Sequence, residues 1–448
     1  MNNYPLLTGT VTAVADERMN NETVKKLWNS FNLTMGDIVF EKGKNCTFQL
    51  GTTPLPTLPE GKEYALRVDG DGAAIVGRDY GGLLRGFFCL IMKIECEGEQ
   101  LIIKPVKEES EYTIRNRMIH ICVFPENDLY FIKKLIRLAS LCQYTHVVIE
   151  FWGMLTFECM KELAWPCAFT KEQAKELVRE CRELGIEPIP MFNMFGHASG
   201  SRVCYGKHVV LDQNPTLQQY FTPDGWAWDI TNPKVYDLFE KVRRELYEVF
   251  GQTEYFHIGF DEAYFYMRRE DLRKKVPDFL RRLTADVAAE GRRPMLWMDM
   301  ILKENDFPAE YSARGKDSEA EALLGALAKE SVMVDWQYKV FTPPILSSLY
   351  LKDKGYDLIV APWLRPENYN ACVDTVTQYD LNGVMLTTWH TLKHEMAGIL
   401  GCAKKCGAKS FVWSVDRIRE ETAALLRRVS FEGNTYEDCG WSKEQIEI

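Results

Sequence analysis

The sequence predicts an α/β protein, a (β/α)8 TIM barrel preceded by a small α+β domain. Three observations carry this. From about residue 112, short and mostly apolar runs alternate with amphipathic stretches eight times over. The lengths of the runs suit strands buried on both faces, as in a parallel sheet. No phosphate-cradling glycine loop follows the first run, which disfavours a doubly wound open sheet. The expected strands are Arg117–Val123, His146–Phe151, Glu187–Asn193, Tyr255–Phe260, Pro294–Asp299, Val332–Trp336, Leu358–Trp363 and Val384–Trp389. Expected helices between and after them include Leu129–Cys142, Lys171–Leu184, Lys234–Phe250, Pro277–Glu290, Ser318–Lys329 and Thr391–Cys406. Pro277 suits the first position of its helix, and Gly185 and Gly291 suit helix C-caps.

Before residue 112 the character is different. Strands are expected at Cys46–Leu50, Tyr64–Val68, Ala73–Val76 and Leu101–Pro105, with helices near Asn21–Ser30 and Tyr80–Ile94. Asp69-Gly70-Asp71-Gly72 between two β-rich runs is a hairpin signal. The chain therefore divides into residues 1–111, a small domain, 112–410, the barrel, and 411–448, a helical tail packed on it. The longest strand-to-helix loop runs from Phe195 to about Asn232, too long for a plain connector and of a kind that shapes active sites.

Composition narrows the function. The 448 residues carry a net charge of −10, which argues against a nucleic-acid partner, since phosphate neutralisation needs a basic face. It also argues against docking on anionic membranes. No apolar window is long enough for a membrane helix, and no secretory signal is visible. The 13 Cys are scattered, mostly in apolar runs and without a CxxC pair. They read as reduced core thiols of a cytoplasmic protein. No cofactor or metal is expected, and the oligomeric state is left open.

Chemistry in a barrel sits at the C-terminal ends of its strands. There the sequence places His120, Glu150, Trp152, Asn193, His197, His257, Asp261, Glu262, Trp297, Asp299, Asp335, Trp336, Tyr338, Trp363, Trp389 and His390. A lone His or Trp is more often structural, and Asp299 or Asp335 could cap a helix. The set as a whole points to a site. Its sharpest element is Tyr255-Phe-His-Ile-Gly-Phe-Asp-Glu262, two adjacent carboxylates closing an apolar strand. Neighbours in a strand point to opposite faces, so both reach the barrel mouth only if the strand ends and the chain turns there. Gly259 would permit close packing at that turn. Paired carboxylates separate their proton affinities, which glycoside cleavage requires.

These residues resemble glycoside hydrolase family 20, the β-N-acetylhexosaminidases, over about residues 60 to 395. His257-Ile-Gly-Phe-Asp-Glu262 is similar to the family's His-x-Gly-Gly-Asp-Glu signature. Pro190-Met-Phe-Asn-Met-Phe-Gly-His197 is similar to its Pro-Glu-Ile-Asp-Met-Pro-Gly-His segment. Asp229–Pro233, Arg115–Ile119 and Tyr64–Lys93 resemble further family segments in the same order. The resemblance implies an exo-acting, retaining hydrolase that removes terminal β-linked N-acetylhexosamine through the substrate's own acetamido oxygen. It implies Glu262 as general acid and then base, with Asp261 holding the acetamido N–H. His197 supports the acid, with His257 and Asn193 beside it. Trp297, Trp336 and Trp389 would wall the acetamido pocket, and Tyr338 would donate to the attacking oxygen. Arg115, His120, Glu150 and Trp363 complete the expected sugar-binding set.

Five departures from the family pattern stand out. Phe260 replaces a glycine and is expected to place bulk beside the carboxylates. Asn193 and His120 stand where Asp is usual, Gly153 falls near the place of an acidic partner, and Thr391 stands where a Glu often binds outer hydroxyls. They motivate an alternative, a catalytically silent or altered-specificity sugar-binding barrel. A metal-dependent hydrolase built on His120, Glu150, His197 and His257 lacks the usual ligand spacing.

Overall fold

The computed structural model describes residues 3–6, 9–32, 36–198, 211, 214–407, 411 and 413–431. Eight parallel strands close into a barrel in chain order. They are β1 (Asn116–Cys122), β2 (His146–Glu150), β3 (Glu187–Met191), β4 (Tyr255–His257), β5 (Arg293–Trp297), β6 (Val332–Trp336), β7 (Asp357–Ala361) and β8 (Gly383–Thr387). Pairing of Asn116 with Gly383 and of His120 with Thr387 closes the ring. Two apolar layers explain why the strands read as unbroken hydrophobic runs. One fills the barrel interior with Met118, Val148, Ile189, Met295, Val334 and Met385, among others. The other, which includes Ile119, Ile149, Leu296 and Leu386, packs the outer face of the strands under the helices.

The surrounding helices are α1 (Leu129–Leu141), α2 (Lys171–Glu183), α3 (Pro233–Phe250), α4 (Val276–Ala289), α5 (Asp317–Leu324), α6 (Leu346–Asp353), α7 (Pro366–Tyr379) and α8 (Met396–Gly407). Local chemistry sets their ends. Thr170 and Gln173 form a capping box that starts α2, satisfying amides that have no partner within the helix. Gly185 and Gly291, at φ +69° and +78°, follow α2 and α4, where a left-handed residue ends the helical ladder. Pro277 is the second residue of α4, one place later than expected. The helix expected from Thr391 begins only at Met396, because Trp389–Thr391 forms a 3-10 turn at the barrel mouth.

The N-terminal segment builds a six-stranded sheet in the order Ile38–Lys42, Val11–Ala15, Thr47–Gly51, Gly72–Gly77, Tyr64–Asp69, Val106–Glu109. A helix over Tyr80–Ile91 covers it, and ten of its twelve residues are buried. The strand expected at Leu101–Pro105 ends instead at Ile103, and Val106–Glu109 begins a new strand in the larger sheet. Pro105 lies in the break, where a missing amide costs no ladder bond. After α8 a helix over Val415–Arg428 follows. Most of the tail beyond it, and residues 199–210 of the long loop, lie outside the described residues. No described helix is long and apolar enough to cross a membrane.

Candidate active site

Strand β4 stops at His257, and the chain then turns through three left-handed residues, Gly259 at φ +72°, Phe260 at +88° and Glu262 at +50°. This turn breaks the alternation of a strand and lets adjacent carboxylates serve one site. Both approach the same imidazole: His197 Nε2 lies 3.1 Å from Glu262 Oε2 and 3.3 Å from Asp261 Oδ2. A Cβ on Gly259 would sit 2.1 Å from Asn193 Oδ1, so the turn needs glycine for space as well as for φ. Phe260 does not crowd the carboxylates, contrary to expectation. Its left-handed backbone sends the ring to the outer layer, stacked on Phe195 at 4.8 Å.

The backbone of Glu262 is held at two points. Its N–H donates to Asp299 Oδ2 at 3.0 Å, and its carbonyl accepts from Trp226 Nε1 at 2.6 Å. Asp299 also accepts from Trp336 Nε1 at 3.3 Å. One buried carboxyl therefore ties the Glu262 backbone to an aromatic wall. Arg314, in the loop between β5 and α5, donates from Nη2 to Glu262 Oε1 at 3.2 Å.

Proton affinities diverge across this cluster. Burial pushes Asp261 up to about 6, with the charges of Glu262 and Glu150 adding to it and His197 opposing. Burial pushes Glu262 upward too, but hydrogen bonding and charge from His197, with Tyr264 and Arg314, outweigh it and hold Glu262 at about 2. Asp299 is pushed well above the usual carboxylate range by burial and then by Asp261 and Glu262.

The aromatic group lies beside these acids. Trp297 and Trp389 approach at 5.4 Å, Trp336 and Tyr338 at 5.0 Å, and Tyr338 and Trp363 at 5.2 Å between ring centroids. Trp389 Nε1 donates to the Tyr338 hydroxyl at 2.9 Å, which leaves the hydroxyl proton for another acceptor.

A third layer lies beneath. His120 Nε2 is 2.9 Å from Glu150 Oε2, and Asn193 Nδ2 donates to Glu150 Oε1 at 2.7 Å. All three are buried, and His120 packs against Trp389 at 4.7 Å. The structure thus places His120 and Glu150 as a buried support rather than as the open sugar contacts expected. His257 packs on Trp297 at 4.5 Å and accepts the Gly259 N–H at Nδ1. Burial lowers its proton affinity well below the ordinary histidine value, so it is neutral.

Arg115 is a correction. It precedes β1 by one residue, is exposed, and shares a cleft with Glu187 and Glu254 at the opposite, N-terminal end of the barrel. It is on the wrong face to meet a sugar. The residues not foreseen are Arg314, Tyr264, Trp226 and Glu395. Glu395 lies four residues after Thr391, and its carboxylate accepts from Trp363 Nε1 at 3.0 Å and from the Thr391 hydroxyl. It holds Trp363 in place and is itself buried. Among the described residues no three His, Cys, Asp or Glu side chains form a group that could hold a metal ion.

Residues 150–364 match the model of the glycosyl hydrolase family 20 catalytic domain. Solved structures share the fold. Flavobacterium johnsoniae chitobiase is 16% identical, with 96% of this chain and 70% of that one covered at a TM-score of 0.65. An exo-β-N-acetylglucosaminidase from Vibrio harveyi, in complex with N-acetylglucosamine, is 14% identical over 96% and 75% at 0.67. The β-N-acetylhexosaminidase of Streptomyces coelicolor is 16% identical over 96% and 93%, also at 0.67.

Proposed function

We propose that this chain, in which residues 150–364 match the family 20 glycoside hydrolase catalytic domain, removes terminal β-linked N-acetylhexosamine with retention of configuration. The observation that carries the reading is Asp261. Its Oδ1 is buried and has no hydrogen-bond partner among the described residues. A buried acceptor without a donor is costly, and an acetamido N–H would satisfy it. The neighbouring tryptophans supply the apolar walls that such a group needs.

In this reading the acetamido oxygen attacks the anomeric carbon while the bond to the leaving oxygen breaks. Glu262 delivers its proton to that oxygen, and Asp261 balances the positive charge that develops on the acetamido nitrogen. Water then attacks the anomeric carbon, Glu262 takes its proton, and the acetamido oxygen is released. The Tyr338 hydroxyl donates to the acetamido oxygen, holding it in attack geometry.

The test uses 4-nitrophenyl N-acetyl-β-glucosaminide and the matching plain glucoside. Glu262→Gln is expected to reduce nitrophenol release by at least about a hundredfold, the scale of a lost general acid. Normal turnover by that variant sinks the assignment. The plain glucoside is expected to be a very poor substrate, and equal rates on the two glycosides would remove the acetamido mechanism.

A further inference from the structure

We propose that Arg314 forms a leaving-group subsite that selects aglycones carrying a carboxylate close to the glycosidic bond. The inference rests on Glu262 being the general acid, because that role places the leaving oxygen beside the Glu262 carboxyl.

The surroundings of Glu262 differ in exposure. Asp261 and Trp297 are almost wholly buried. Tyr264, Trp226 and Arg314, which also meet Glu262, are partly exposed. The Arg314 side chain retains 32% exposure, against 20% for Glu262 itself. A leaving group departs toward solvent, so the partly exposed residues mark its side.

Arg314 is well supported there and under-used. Its backbone N–H donates to the Asp299 carbonyl at 2.7 Å, which fixes the loop against β5. Its guanidinium lies 5.3 Å from the centre of the Tyr264 ring. Nη2 reaches Glu262 Oε1, yet Nε is buried without a hydrogen-bond partner, 3.7 Å from Asp299 Oδ2. A guanidinium offers five N–H groups in a planar fork suited to a carboxylate. Here that fork grips one carboxylate oxygen from the side.

The grip also opposes the chemistry. Glu262 must carry a proton to act as an acid, and a cation on its Oε1 favours the ionised form. A carboxylate on the leaving group offers Arg314 an equivalent partner. Exchanging one carboxylate for the other keeps the arginine paired and removes one of the contacts, beside the larger one of His197, that favour the ionised form of Glu262. Recognition of the aglycone and priming of the acid then share one side chain.

The test compares 3-carboxyphenyl with 3-carboxamidophenyl N-acetyl-β-glucosaminide, a pair matched in size that differs in charge. The unaltered chain is expected to favour the carboxylate by about tenfold in kcat/KM, the scale of one charge-assisted hydrogen bond. Arg314→Gln is expected to bring the ratio close to one, and Arg314→Lys to keep part of the preference. A ratio near one in the unaltered chain overturns the inference, as does a preference that survives Arg314→Gln. If neither glycoside is hydrolysed and the neutral nitrophenyl glycoside is inert too, the hydrolase reading itself has failed and this subsite goes with it.

Discussion

Asp261 and Glu262 are chain neighbours with opposite electrostatic fates, and the difference lies in what each touches. Asp261 is buried and Glu262 largely so, but Glu262 gains His197, Tyr264 and Arg314, whereas Asp261 is left with an unpartnered oxygen. Asp299 connects this pair to the aromatic wall, since its two oxygens accept from the Glu262 N–H and from Trp336 Nε1. An amide at that position has one acceptor oxygen, so Asp299→Asn leaves one of the two part-buried donors unpaired. That costs about 1–3 kcal/mol. The expected outcome is a roughly 10- to 100-fold loss in kcat/KM on the N-acetyl substrate; an unchanged kcat/KM would show that this tie does not position the acid. At this scale the site is unevenly legible in the sequence. The Asp-Glu pair and the tryptophans were legible because they close apolar strands. Arg314 was not, because it belongs to a long loop and meets Glu262 only through the fold. Arg115 was misplaced because β1 starts one residue after it, which puts the side chain at the other mouth of the barrel.

Elements were more legible than residues. All eight barrel strands were foreseen to within a few residues, since burial on both faces writes a continuous apolar run. Their C-terminal ends lie up to three residues before the expected ones, because the chain turns off at the barrel mouth. Ile258 to Phe260 read as strand by composition, yet Gly259 and Phe260 are left-handed. Helices α6 and α7 are not among the expected helices, because both are only weakly amphipathic and α6 is short. The turn after β4 is where backbone and chemistry meet most closely. Gly259→Ala would force a methyl group against Asn193 Oδ1 and hold a side-chain-bearing residue at φ +72°. Strain of this kind costs of order 1–3 kcal/mol. The variant is expected to unfold at a lower temperature and to lose turnover as the carboxylates shift. Unfolding at the unaltered temperature, with full activity, would mean that Asn193 yields at no cost.

Across the whole molecule, the small sheet and the barrel are joined by a buried ion cluster. Arg117 at the start of β1 grips Glu63 with two N–H groups, at 2.9 and 2.8 Å, and Arg85 adds a third at 2.7 Å. The same Arg117 side chain donates to the Ile114 and Gln143 carbonyls, so it braces the chain on both sides of the junction. Two arginines share one carboxylate, and neither tolerates its loss: an unpaired buried charge costs about 3–5 kcal/mol. Burial raises the proton affinity of Glu63, but Arg117 and Arg85 outweigh it and hold the carboxyl below its ordinary value. A carboxyl whose affinity is lowered by folding binds more protons when unfolded, so its contribution to stability grows with pH. It is fully present above the unfolded value, near about 4.3, and is lost as pH falls through the lower folded value. Glu63→Gln, which keeps the shape and removes the charge, is therefore expected to lower the unfolding midpoint strongly at pH 7. The gap between variant and parent should narrow as pH falls below about 4. A gap that stays constant from pH 7 down to the acid transition would show that shape, not charge, joins the sheet to the barrel.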